Sequence, residues 1–302
     1  MSLKRPLLRN LIHCVKTWRE LRRFPGVFSA ADASMLLSGV VLPMRFADRA
    51  AGRALGKEAR IEREAEGMHK ITHLESGLVF YWRGAVDNNL HYVMAQEFDP
   101  RFPHCYTTPP VRLTAESTVL DVGACEGLFA FRVLRSGQAR RVICFEPSAR
   151  TAHYTRLGAE VNGVADRLKV ETVAVGRTTC RVQFVEGASA DGNRVERTPA
   201  AGGDTVDCVA LDDYCEQNAI RLGARDLIKI DAEGFDFEVL LGAERIIRAG
   251  SPQIAVTTYH NHEHAFQMAE WLGRVQPAYR MRLKGFASWT SPPEPVLLQA
   301  AV

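Results

Sequence analysis

The segment Val119-Leu-Asp-Val-Gly-Ala-Cys-Glu-Gly-Leu-Phe-Ala-Phe131 reads as a buried strand, a loop holding Gly123 and Gly127, and the start of a helix. Glycine at the carboxyl end of a strand lets backbone approach a ligand where a Cβ would block it, and a helix start offers free N–H groups. Glu146 follows nineteen residues after Gly127, at the end of the next apolar run, where a carboxylate can accept both hydroxyls of a ribose. The two features together describe a nucleoside pocket. A dinucleotide site wants G-x-G-x-x-G around a pyrophosphate, whereas Asp121, Gly123 and Gly127 give D-x-G-x-x-x-G. A phosphate-free nucleoside such as S-adenosyl-L-methionine needs one close approach fewer. Asp121 is expected to serve its amino-acid or ribose end through the loop, and Ala124, Pro147 and Ala174 are expected to line the pocket beside Gly123, Gly127 and Glu146.

A second set of groups suits proton transfer. Asp231 and Glu233 follow the apolar run Leu227 to Ile230, and His260 follows the run Ile254 to Thr258. Asp231 and His260 form a candidate base pair, and Asp231 belongs also to the cofactor wall. With Glu233 the same residues could hold a divalent cation, Mg or Mn, that acidifies a hydroxyl. The plainer reading of Glu233 is a negative charge at a helix start, favoured by the macrodipole. His260, His262 and His264 space as H-x-H-x-H, which on a loop is more often polar surface than a metal site. Cys125 reads as a small packing residue rather than a nucleophile.

These groups need a scaffold. From Ser117 onward short apolar runs (Val119 to Val122, Val142 to Phe145, Val170 to Val175, Leu227 to Ile230, Ile254 to Thr258) alternate with helical segments, the pattern of parallel strands buried on both faces. Ser148 is a candidate N-cap and Asn162-Gly163 a stop. Tyr279 to Leu283 and Pro295 to Ala300 predict an antiparallel hairpin that completes the sheet. The fold class is therefore α/β, a doubly wound and mostly parallel sheet with an antiparallel C-terminal hairpin. Upstream, helical spacing runs from Leu7 to Leu21, helices are expected over Ala30 to Leu37 and Ala47 to Glu66, and the run from Gly77 to Arg83 has strand character. The boundary between a mainly helical N-terminal region, 1–110, and a cofactor-binding domain, 111–302, falls near Pro109-Pro110.

Composition narrows the class further. The 302 residues are 46% hydrophobic and 24% charged, with no fixed-period repeat or low-complexity tract, so the chain is globular. Seven cysteines without a C-x-x-C pair argue against a disulfide framework or zinc ribbon and for reduced thiols in a cytoplasm. The apolar stretch near the N-terminus is interrupted by Arg9, His13 and Lys16, unlike a signal peptide. Ser34 to Met44 is about half of the ~20 residues that a membrane span needs. Residues 1–60 carry twelve Lys or Arg and four acids, a net +8 in a chain of net +3. That basic arm is a solvated helical face or a peripheral contact for an anionic surface or partner. The sequence leaves oligomeric state open.

In order along the chain, Leu120-Asp-Val-Gly-Ala-Cys-Glu-Gly127, Phe145-Glu-Pro147, Asn162-Gly163, Leu211-Asp-Asp213, Ile228-Lys-Ile-Asp-Ala-Glu-Gly234, Glu238-Val-Leu-Leu-Gly-Ala243, and Tyr259-His260 with Tyr279 resemble the FkbM-family methyltransferases. The resemblance runs from about Glu97 to Val302. It implies a class I methyltransferase fold, adenosylmethionine as cofactor, and methylation of a hydroxyl on a sugar, glycan or polyketide-like metabolite. Two positions depart from the family pattern: Cys125-Glu126 replaces an Asn-Ile-like pair, and Asp236 replaces a Glu. Residues 1 to about 95 match nothing and are where acceptor choice could lie. The Asn/Asp-Pro-Pro-aromatic signature of nucleobase amine methylation is missing, since Asp231-Ala-Glu-Gly stands in its place, so nucleic acid is disfavoured. A competing reading is a non-catalytic Rossmann-like module that holds a partner with its basic arm. A nicotinamide oxidoreductase is disfavoured by the glycine spacing.

Overall fold

The computed structural model describes residues 54–302 except 65–66, 186, 188–193, 197–204, 262 and 288–293, and before residue 54 only 12, 15–17, 19, 23, 27 and 32. The helices expected over Leu7 to Leu21 and Ala30 to Leu37 lie almost wholly outside the described residues, as do His262 and the Ser-Pro-Pro turn.

The chain first forms a three-stranded antiparallel sheet of β1 (Ala59–Arg63), β2 (Met68–His73) and β3 (Val79–Arg83), then helix α1 (Asn88–Phe98). The helix expected over Ala47 to Glu66 is not continuous. Helical residues 54–58 give way to β1, in which Ile61 pairs with Ile71 of β2. Pairing with a neighbouring strand overrides the helical propensity of the Ala-, Arg- and Glu-rich segment. The strand expected from Gly77 to Arg83 is present as β3.

The main sheet is then built from β4 (Thr118–Val122), β5 (Arg141–Phe145), β6 (Leu168–Glu171), β11 (Leu227–Ile230), β12 (Gln253–Thr257), β13 (Arg280–Ala287) and β14 (Glu294–Ala301). In space they lie β13-β14-β12-β11-β4-β5-β6; β14 runs antiparallel to β12 and β13, and the other neighbours are parallel. Every residue of β4, β11, β12 and β14 is buried. The chain winds outward from β4 to β6, returns to β11, and so leaves a switch point between β4 and β11, where open α/β sheets bind ligands. This is the doubly wound, mostly parallel α/β sheet with an antiparallel C-terminal hairpin that the sequence predicts.

Helices α2 (Leu128–Arg135), α3 (Ala149–Val161), α4 (Leu211–Gln217), α5 (Asp236–Leu241), α6 (Glu244–Gly250) and α7 (His264–Val275) connect the strands. Ser148 caps α3 by accepting from the Thr151 N–H, and Asn162-Gly163 ends it with Gly163 at φ 66°. Asn162 also clamps β3, accepting from Val79 N and donating to Val79 O. The run Val170 to Val175 is two strands rather than one: β6 ends at Glu171, and β7 (Ala174–Val175) joins a second sheet with β10 (Thr205–Val209), β8 (Cys180–Val185) and β9 (Arg194–Glu196). Residues Ile71, Phe80, Trp82, Leu90 and Met94 from the N-terminal elements pack in one apolar cluster with Val119 of β4 and Phe131 and Val133 of α2. The six described cysteines are free thiols, and no helix among the described residues is long and apolar enough to cross a membrane.

Candidate active site

A cavity of about 590 Å³ opens at the carboxyl ends of β4, β5 and β11, within the size range of cofactor sites. Among the described residues six carboxyl groups line it, Asp87, Glu97, Glu126, Glu146, Asp231 and Glu233, against one ammonium, Lys229. One wall consists of Gly123, Ala124, Pro147, Ala174, Phe184 and Phe235; α1 supplies another through Asn88, Asn89, Tyr92, Val93 and Gln96.

Of the expected cofactor residues, Gly123, Ala124, Glu146, Pro147, Ala174 and Asp231 line the cavity, and Gly127 and Asp121 do not. The glycines are explained by packing. A Cβ on Gly123, at φ 71°, would fall 1.8 Å from the Asp231 carbonyl oxygen, and one on Gly127 would fall 2.7 Å from Phe131 and from Thr155. The loop N–H groups of Gly123 and Ala124 are spent on Phe145 O. The crossing backbone and the α2–α3 packing therefore require these glycines without any ligand.

Glu146 is buried with its oxygens on Ser148 N at 2.9 Å and Cys125 N at 3.2 Å. Each oxygen keeps a lone pair for a further donor. Burial pushes its carboxyl up to about 7, while the backbone donors and Lys229 pull the other way. Cys125 and Glu233, both lining the cavity, are non-glycine residues at φ 47°, a backbone region that costs energy and collects at functional sites.

Asp121 lies beneath the floor, fully buried, with an oxygen 2.9 Å from Lys229 Nζ. It meets any ligand only through Lys229, whose ammonium also donates to Gly123 O and stands over the rings of Tyr106 and Phe129. Burial opposes the Lys229 charge, but Asp121 and Asp231 outweigh it and raise its pKa.

Asp231 directly follows β11. Its Oδ2 accepts from Tyr106 Oη at 2.7 Å and lies 3.5 Å from His104 Nε2. Burial alone would raise its carboxyl, yet the cationic Lys229 and His260 beside it hold it below the ordinary range. His104 itself is driven down to about 4 by burial, so its imidazole is neutral. The loop that carries His104 and Tyr106 is pinned from the hairpin: Lys284 Nζ donates to Phe102 O and Cys105 O, and Gln299 Nε2 to Tyr106 O and Thr108 O.

His260 does not line the cavity. Its Nδ1 is 3.0 Å from Asp236 Oδ2, and its Nε2 lies 3.3 Å from Glu233 and 3.9 Å from Asp231. Burial disfavours its charge, but Asp236, Glu233 and Asp231 raise its pKa well above normal, making it an imidazolium behind two carboxylates. It can act on a ligand only through Asp231 or Glu233. Asp236 accepts from Ala232 N and Thr257 Oγ1 on one oxygen and from Gly234 N and His260 on the other. These interactions hold its carboxyl down at about 2 against burial.

For a cation, the ligand atoms within 4.8 Å of one another among the described residues belong to Asp231, Asp236 and His260. Asp236 thus takes the place expected for Glu233, although both its oxygens are already engaged. His264 opens α7 against the Phe237 ring, outside that set.

Sequence reasoning missed Lys229, Tyr106 and His104, and noted Asp236 only as a departure from the family pattern, with no role in the site. The signal for Lys229 was available, since a lysine inside an otherwise apolar buried strand demands a buried partner.

A family model described as the methyltransferase FkbM domain matches residues 121–282, and the chain belongs to the FkbM methyltransferase family. It is 27% identical over 150 residues to the 2-O-methyltransferase NoeI of Sinorhizobium fredii, a match covering 44% of this chain. The chain spans only 59% of the length of that curated relative. Solved structures similar to it include a methyltransferase FkbM from Methylobacillus flagellatus, at 18% identity and TM-score 0.48, covering 89% of this chain and 60% of that one. An rRNA methylase from Streptococcus thermophilus is similar at 12% identity and TM-score 0.36, covering 63% of this chain and 88% of that one.

Proposed function

We propose that the chain is an S-adenosylmethionine-dependent O-methyltransferase acting on a hydroxyl of a carbohydrate or related hydroxylated metabolite. The observation that carries this reading is the sign of the cavity: among the described lining residues acidic side chains outnumber the ammonium six to one, which favours a cationic nucleoside over the pyrophosphate of a dinucleotide. Glu146 is the ribose acceptor, buried and with one lone pair left on each oxygen. The similarity to a 2-O-methyltransferase of Sinorhizobium fredii supports a hydroxyl acceptor.

When bound, adenosylmethionine supplies an electrophilic methyl on a sulfonium, open to in-line displacement. The residues of this chain must then orient an acceptor oxygen and take its proton. Asp231 is the group placed for that, ionised and fixed by Tyr106. Glu233, raised by burial, is the second proton acceptor on the cavity side. His260 is a positioning residue held by Asp236, and its positive charge steadies both carboxylates. The polar face of α1, with Asn88, Asn89, Tyr92 and Gln96, is the surface for a polyhydroxylated acceptor. It comes from outside the residues matched to the family, in keeping with acceptor choice carried by the N-terminal region.

Calorimetric titration with adenosylmethionine and with NADH tests the reading. The protein should bind the first and not the second, and Glu146→Ala should weaken binding at least about tenfold through loss of charged acceptors. Tight NADH binding, or unchanged affinity in a folded Glu146→Ala, refutes it. Incubation of cell extract with deuteromethyl-labelled cofactor then identifies the acceptor by mass.

A further inference from the structure

Glu97, in the last turn of α1, has no part in the chemistry above. Its side chain is 1% exposed and lines the cavity. Oε2 accepts from Arg132 Nε at 3.0 Å, whereas Oε1 has no partner among the described residues. Arg132 does not supply the missing donor, because its NH1 goes to Gln138 and its NH2 to Thr107. Burial pushes the Glu97 carboxyl up and Arg132 opposes it. A buried carboxylate oxygen without a donor is unfavourable, and the cavity that Glu97 lines is the space beside it that a ligand can enter.

The chemistry of that donor follows from the surroundings. The nearest cations are already committed: Lys229 to Asp121 and Gly123, Arg132 to Glu97 Oε2. Phe129, which lines the cavity, and Phe102 leave an apolar setting in which a charged donor gains most from a carboxylate. We propose that Glu97 Oε1 binds the α-ammonium of the amino-acid portion of adenosylmethionine, an assignment that rests on the cofactor reading above. Glu146 then holds the ribose and Glu97 the amino acid, so that two buried carboxylates, one just after β5 and one on α1, fix the sulfonium between them.

The test compares S-adenosylhomocysteine with methylthioadenosine, the same nucleoside thioether without the amino acid, by calorimetry on the full chain. Glu97→Gln should weaken S-adenosylhomocysteine roughly 10- to 100-fold, the range for a hydrogen bond to a charged group, and leave methylthioadenosine unchanged. Glu146→Ala should weaken both. Glu97→Gln with wild-type affinity for S-adenosylhomocysteine, or with equal loss of both ligands, overturns the assignment. Wild-type protein that binds neither ligand overturns the cofactor reading and the Glu97 role together. Should Glu97→Gln not fold, Glu97→Asp, which withdraws the carboxylate by one methylene, must show the same split between the ligands.

Discussion

Removing the Lys229 ammonium should damage the fold more than removing the Asp121 carboxylate. Lys229→Met leaves a fully buried carboxylate without its counter-charge at 2.9 Å, and breaking a buried pair from one side destabilises by about 3–5 kcal/mol. Asp121→Asn leaves Lys229 with Gly123 O at 2.8 Å, the Tyr106 ring at 5.1 Å and the Phe129 ring at 5.9 Å. Those partners retain part of the stabilisation, so its cost is about 1–3 kcal/mol. The double variant buries no unpaired charge and should fall short of the sum of the singles by about 1 kcal/mol or more. Urea unfolding reads all three, as shifts of midpoint at unchanged slope. Because Asp121 does not line the cavity, Asp121→Asn should also keep its affinity for methylthioadenosine. Strictly additive singles, or an Asp121→Asn that loses nucleoside binding while staying folded, would refute the floor role and restore Asp121 as a ligand residue.

Asp231→Asn keeps shape but removes the proton acceptor, so turnover should fall by about 10²–10⁴ with cofactor affinity little changed; wild-type turnover would make Asp231 a structural cap. His104 takes up a proton at pH 6.5 in the unfolded chain and only near pH 4 when buried. Stability should therefore be lost as the pH is lowered from 6.5 towards 4, where the unfolded chain binds the proton and the folded one does not. His104→Gln should flatten the profile, and a variant with the wild-type slope counts against a buried neutral imidazole. Turnover should survive chelator, because Asp236 has no free acceptor and His260 is protonated. Loss of activity with EDTA and its return with Mg²⁺ or Mn²⁺ would show instead that Asp231, Glu233 and His260 hold a cation, with His260 losing its proton as the metal binds.

The parallel core was legible because its strands are buried on both faces, which leaves near-continuous apolar runs such as Val142 to Phe145 and Ile254 to Val256. The hairpin of β13 and β14 was legible for a similar reason. Where composition was ambiguous the partner strand decided. Ala59–Arg63 is rich enough in charge for an exposed helix, and only pairing with Met68–His73 makes it β1. The break at Thr172-Val173 likewise depends on β10, which draws Ala174 and Val175 into another sheet. No local pattern encodes either choice.

Site residues in the loops after β4, β5 and β11 could be found because position relative to a strand end fixes where a side chain stands. That rule places Glu146, Asp231 and Glu233 at the cavity, but it overreaches for Asp121, which is inside its strand and not beyond it. Parallel register sets Asp121 directly opposite Lys229, and two charges facing each other between buried strands must satisfy one another before either serves a ligand. His104 and Tyr106 could not be reached this way, since they ride on a loop whose course is set by Lys284 and Gln299, some 180 to 190 residues later in the chain. The Asp for Glu replacement at 236 becomes intelligible only with its donors in view. The shorter carboxylate accepts from Ala232 N and Gly234 N at the start of α5 and still reaches His260, so one residue closes the loop that bears Glu233 and aims the imidazolium behind it.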